Sequence, residues 1–131
     1  SPTFKVTLST EEDALQSNLL SQLNEEGFTS SNLSQLSKKT GNSKDKLMRL
    51  LTIAEQQGKL LRINGNLMFT QTNFLKLQKK VAQHFTNHSE MSVSEFKELA
   101  ETSRKYAVPL LEYFDKKKIT YREGNSRKLV K

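Results

Sequence analysis

The same order of elements can be read twice along this chain, and each pass ends in a Gly-Asn hairpin turn. In the first pass Ser9-x-x-Glu12 has capping-box spacing, and Leu15, Leu19 and Leu23 follow as one apolar stripe that stops at Gly27. Ser31 opens a short second helix with Leu33 and Leu36 inward. Thr40-Gly41-Asn42 makes a turn, and Ser43 caps a third helix carrying Leu47, Leu50, Leu51 and Ala54, ended by Gly58. Leu60 to Ile63 and Leu67 to Thr70 then flank Asn64-Gly65, a strong two-residue hairpin signal. In the second pass Leu77, Val81 and Phe85 repeat the first stripe at an offset of 62. Phe96 and Leu99 repeat Leu33 and Leu36 at 63, and Leu110 and Gly124 repeat Leu51 and Gly65 at 59. The slip between the last two offsets falls at the Thr40-Asn42 turn, where a change of length is cheap.

Three helices and a β-hairpin make a winged helix, a helix-turn-helix with a wing. The expected fold is mainly α with small β-hairpins (α+β): two tandem winged-helix domains, one over 1–70 and one over 71–131. No Pro/Gly/Ser-rich linker separates them at Thr70-Gln71-Thr72, which predicts a short, stiff connection. Divided in two, the 131 residues give units that are small but workable without staples. The absence of cysteine excludes disulfides and thiolate metal sites and fits a reducing cytoplasm. No apolar run approaches the roughly 20 residues of a membrane span, and Ser1-Pro2-Thr3-Phe4-Lys5 does not look like a signal peptide. A cytoplasmic monomer without a membrane partner is expected.

Little in the chain points to catalysis. No serine lies in a nucleophile-elbow sequence, and the glycines are single turn residues without a phosphate loop. His84 and His88 are four apart and could share a helix face, but with no Cys or suitably spaced carboxylate to complete a site they read as a partly exposed helix end. Glu11-Glu12-Asp13 complements a helix start, whereas Glu25-Glu26 sits at the unfavourable end of that helix with no evident role. No catalytic residue and no metal ligand is assigned.

The charge is unevenly placed. From Ser103 onward nine Lys/Arg face three Asp/Glu, a balance of +6, while the preceding residues hold twelve against eleven. A basic face on one small element suits a polyanion, although a solvated Lys-rich tail would carry the same charge. Ser103, Arg104, Lys105 and Tyr106 stand where the third helix of a helix-turn-helix presents its start to a ligand. Free N–H groups there bind phosphate; Arg adds a bidentate fork, Lys a point charge and Tyr a stacking face. Pro109 either kinks this helix or lies near its start. Tyr113 is expected in the core, and Tyr106 could serve either purpose. Arg122, Arg127 and Lys128 bracket the hairpin tip on a two-residue alternation, and Lys97 is a weaker candidate for flanking backbone. Lys116-Lys117-Lys118 reads as helix-end charge. An edge hairpin kept soluble by its cations is the plainer reading of the wing.

The run Thr102-Ser103-Arg104-Lys105-Tyr106-Ala107-Val108-Pro109-Leu110-Leu111-Glu112-Tyr113-Phe114-Asp115 resembles the last winged helix of bacterial selenocysteine-specific elongation factors. Ile119-Thr120-Tyr121-Arg122, with its Gly-containing turn and basic return strand, is similar to that family's wing. The first unit resembles the preceding winged helix only in layout. The resemblance implies an RNA-binding piece of a larger protein, whose GTPase part carries selenocysteinyl-tRNA and whose winged helices grip an mRNA stem-loop beside a UGA codon. GTP and Mg would belong to that other part, with no cofactor in this chain, and the ribosome and tRNA would be partners of the whole factor. It places Ser103, Arg104, Lys105 and Tyr106 against the hairpin and Arg122 and Arg127 on the wing. Fold alone would favour a DNA-binding regulator, an order that only the specific motif reverses, and a protein-docking winged helix is the second rival.

Overall fold

The computed structural model describes residues 7–64 and 67–131. The hairpin tip expected at Asn64-Gly65 falls partly outside the described residues, but Asn64 itself has φ 53°, the left-handed backbone that a tight two-residue turn demands. Helix α1 (Thr10–Glu26) starts at the expected box: Ser9 Oγ accepts from the Glu12 N–H, and the Glu12 carboxylate accepts from the Ser9 N–H. Helix α2 (Leu33–Thr40) corrects the expectation at Ser31. Its cap is Asn32, which closes a box with Gln35, because Ser31 is otherwise engaged. The Ser31 N–H and Oγ both donate to the Glu26 carboxylate at 2.7 Å. That carboxylate therefore has a role that the sequence left blank: it ties the end of α1 to the start of α2, and Lys39 pairs with it at 3.3 Å.

Ser43 caps α3 (Lys44–Gln56), and strands β1 (Leu60–Ile63) and β2 (Leu67–Thr70) pair antiparallel, Leu60 opposite Thr70 and Ile63 opposite Leu67. No linker follows. Thr70 ends β2 and caps α4 (Gln71–Asn87), accepting from the Asn73 N–H at 3.2 Å. The order then recurs with one addition: β3 (Met91–Ser92), α5 (Val93–Ala100), α6 (Arg104–Lys116), β4 (Thr120–Glu123) and β5 (Ser126–Leu129). Two residues of β3 are too few to show a period. The strand exists because its backbone pairs with β5, Met91 opposite Arg127, giving a three-stranded sheet β3-β5-β4. Pro109 lies inside α6, where its missing N–H frees the Lys105 carbonyl from the usual helical bond. Tyr113 packs edge-to-face on Phe74 at 5.6 Å, as a core-side aromatic.

Two apolar clusters result, and they do not divide at Thr70. Leu19, Leu23, Leu36, Leu47, Leu50, Leu51 and Met68 form the first. The second is built on Phe74, Leu77, Val81, Met91, Phe96, Leu110 and Phe114, yet it also takes in Phe28, Ile63 and Phe69. Strand alternation explains this: Met68 points into one cluster and Phe69 into the other, so β2 is buried on both faces. Polar bonds close the same seam, Thr102 Oγ1 to the Phe28 carbonyl at 2.8 Å and Asn73 Nδ2 to the Asn24 carbonyl at 2.9 Å. No helix among the described residues is long and apolar enough to cross a membrane.

Candidate nucleic-acid interface

Ser103 is the N-cap of α6, and its side chain makes no cap hydrogen bond. The caps of α1 to α5, namely Ser9, Asn32, Ser43, Thr70 and Ser92, all make one. The start of α6 thus keeps N–H groups available at the positive end of its dipole, with exposed Arg104 and Lys105 beside them. The Lys105 ammonium stands 5.5 Å from the Tyr106 ring centroid. Tyr106 is half-buried and packs against the second core, so it is both anchor and rim.

The wing brings a second set of cations to the same place. A cleft of about 400 Å³ opens between the α5 start, the first three turns of α6 and the hairpin. Ser94, Arg104, Glu112, Arg122, Asn125 and Arg127 contribute to its walls. Arg122 is exposed, and its Nε donates to the Gly124 carbonyl at 3.0 Å, which orients the fork. Among the described residues Arg104, Lys105 and Arg122 have no carboxylate partner within ion-pair distance.

Arg127 is differently placed. Its side chain is only 7% exposed, and Nε donates to Asp115 Oδ2 at 2.9 Å and Oδ1 at 3.2 Å. Thr120 Oγ1 donates to the same Oδ1 at 2.7 Å. The guanidinium therefore fastens β5 to the end of α6 and reaches the cleft as part of its floor. Lys128 pairs with Glu123 across the hairpin at 3.4 Å, and Lys97 is half-buried on α5; neither lines the cleft. Lys116 closes α6, Lys117 is its C-cap, and Lys118 turns the chain with φ 59°, in keeping with helix-end charge.

Asn125, Ser94 and Glu112 were not singled out by sequence. Asn125 reads as a turn residue, Glu112 stands in the Thr102–Asp115 run without a role of its own, and Ser94 carries no signal. The Asp115–Arg127 pair spans twelve residues with no local pattern to announce it. In the first unit the corresponding surface is quieter. Arg49 pairs with Glu12, Arg62 lies 3.9 Å from Glu55, and Lys44 and Lys46 flank Asp45. His84 and His88 lie away from the cleft, and the structure brings Glu95 to them.

Residues 83–129 match the family described as elongation factor SelB, winged helix. A selenocysteine-specific elongation factor of Desulfomicrobium baculatum is 31% identical over 109 residues, which is 83% of this chain; the chain spans 15% of that relative's length. The structure of the mRNA-binding domain of elongation factor SelB from E. coli, solved in complex with SECIS RNA, superposes with a TM-score of 0.77 at 23% identity, covering 95% of this chain and 100% of that one. The crystal structure of bacterial selenocysteine-specific elongation factor EF-Sec gives a TM-score of 0.63 at 23% identity, over 94% of this chain and 19% of the other. At that identity the two structures speak to the fold, which is mainly helical with small antiparallel sheets. The family match covers α5, α6 and the wing, so the second unit of this chain is similar to the winged helix of elongation factor SelB.

Proposed function

We propose that this chain is an RNA-binding part of a selenocysteine-specific elongation factor, gripping the selenocysteine-insertion stem-loop of an mRNA and holding the factor near a UGA codon. The observation that carries the reading is the cleft: unpaired Arg104 and Arg122 converge on it beside a helix start whose N-cap side chain is unengaged. The deep, narrow major groove of A-form RNA excludes a recognition helix, so the contacts belong to loop phosphates and unstacked bases. Arg104, Lys105 and Arg122 would position phosphates. The cleft, with arginine donors and the Glu112 carboxylate as acceptor, has the polarity to hold an extruded base. Arg127 holds the wing in place for this, with Lys128, Lys97 and Tyr106 at the margin.

In this proposal 71–131 is the RNA-binding domain and 1–70 supports it, with the ribosome, selenocysteinyl-tRNA, GTP and Mg engaged by other parts of a cytoplasmic factor. Competition titration tests it. A selenocysteine-insertion hairpin should outcompete duplex DNA of matched charge, and a loop-mutated hairpin should bind more weakly. Preference for the duplex would replace the reading with a DNA-binding one, and indifference to the loop would leave only a basic surface.

A further inference from the structure

His84 and His88 are the only histidines of the chain, and the cleft uses neither. They close α4, with His88 as its C-cap, and their rings stack 4.2 Å apart with 9° between the planes. Across from them Glu95, on the first turn of α5, sets Oε2 4.0 Å from His84 Nε2. One donor atom from each of the three residues lies within 4.8 Å of the other two. We propose that His84, His88 and Glu95 form a binding site for a divalent transition-metal ion of the zinc class, clamping the end of α4 to the start of α5.

Two of the three groups are already set for that role, and the stacked rings would turn out of parallel to aim at one ion. His88 Nδ1 is 3.0 Å from the His84 carbonyl. A carbonyl only accepts, so in the neutral ring Nδ1 carries the proton and Nε2 keeps its lone pair, the tautomer that a ligating imidazole held by a backbone carbonyl adopts. Glu95 Oε1 is held by the Ser92 N–H at 2.8 Å, which leaves Oε2 to face His84. The His84 side chain is only 8% exposed, and its Nε2 lies 2.8 Å from the Glu90 carbonyl. That carbonyl accepts from Nε2–H, so a cation would displace the Nε2 proton and find the carbonyl as a further oxygen donor. Donor separations around a tetrahedral zinc are about 3.3–3.5 Å, so the trio needs a contraction of up to about 1.4 Å, within reach of the exposed His88 side chain. Two imidazole nitrogens and a carboxylate favour Zn²⁺, Ni²⁺ or Co²⁺ over Mg²⁺ or Ca²⁺. The residues between the ligands are not idle. Met91 and Ser92 form β3 against the wing strand β5, and Ser94 lines the cleft, so the clamp would stiffen one wall of it.

Calorimetric titration of untagged chain with Zn²⁺, and separately with Mg²⁺, tests this. One Zn²⁺ per chain should bind and Mg²⁺ should not, with His88→Gln and Glu95→Gln each weakening zinc binding about tenfold or more. Co²⁺ should give visible absorption bands that His88→Gln abolishes. His84→Gln also removes the bond to the Glu90 carbonyl, so the exposed His88→Gln, checked for folding by circular dichroism, is the deciding variant. No binding of excess zinc, or equal binding by wild type and His88→Gln, would overturn the proposal.

Discussion

Removing Asp115 should cost far more than removing the arginine it holds. Asp115→Ala leaves the Arg127 guanidinium without a counter-charge at a site where its side chain is 7% exposed. Breaking such a pair costs about 3–5 kcal/mol, and the lost bond from Thr120 adds about 1 kcal/mol. Asp115 is 24% exposed, so water can reach the vacated space, which puts the total near the lower end, about 3 kcal/mol. Arg127→Met keeps an apolar stem and leaves a carboxylate still bonded to Thr120 and partly wet, for about 1 kcal/mol. The double variant should be more stable than Asp115→Ala alone, giving a coupling of about 2 kcal/mol. Urea unfolding of the four proteins measures this. Hairpin titrations across salt then separate positioning from contact. Arg122→Ala should lower the slope of log K against log salt by about 0.7–0.9, one phosphate's worth, whereas Arg127→Met should weaken binding with the slope unchanged. A double variant no better than Asp115→Ala, or a slope loss in Arg127→Met equal to that in Arg122→Ala, would refute the structural role given to Arg127.

Three other outcomes are expected. Burial pushes the Glu26 carboxyl up, but hydrogen bonds from Ser31, Gln22 and Lys39 outweigh it and hold its pKa below the ordinary 4.5. A depressed folded pKa gives stability that is present above the unfolded value and lost as pH falls through the folded one. Glu26→Gln should therefore cost about 1–2 kcal/mol at pH 7 and flatten the acid limb below pH 4.5, as followed by urea unfolding across pH. Phe69→Ala should cost about 3–5 kcal/mol and shift one shared thermal transition, because Phe69 lies on the first hairpin but in the second core; two separate transitions by calorimetry would contradict that. Arg104→Ala should weaken hairpin binding by about 1–3 kcal/mol in a gel-shift titration while Lys44→Ala and Lys46→Ala do little, and equal losses would remove the asymmetry between the units.

Local chemistry was legible in the sequence wherever it acts within one turn. Ser9-x-x-Glu12, the leucine stripes, Thr70 as a junction and the basic start at Arg104 all announce themselves within four residues. Asn32 in place of Ser31 shows the limit. Both can cap, and the choice was made by Glu26, a carboxylate that looked misplaced on α1 until Ser31 folded back onto it. The same holds for β3, which exists only through its pairing with β5, and for Arg127, whose alternation with Arg122 suggested a solvent face while Asp115 drew it inward. Glu95 is the sharpest instance. Its capping box with Ser92 was there to be read, but its approach to His84 depends on how α4 and α5 cross.

The seam between the units bears on how the proposed grip could transmit a pull. If the RNA engages Arg104 and Arg122, force enters through the α6 start and the wing. Ala107, Leu110 and Phe114 carry it into the second core, where Phe28, Ile63 and Phe69 of the first unit are packed. A linker would let the second unit swivel before the first felt anything. Here the path runs through buried contacts and the bonds of Thr102 and Asn73, with Thr70 serving at once as strand end, helix cap and bond partner of Asn24. Close-packed interiors have low compressibility and transmit strain. The absence of a Pro/Gly/Ser tract at Thr70-Gln71-Thr72 is thus functional on this reading, since it couples the RNA-facing cleft to the first unit.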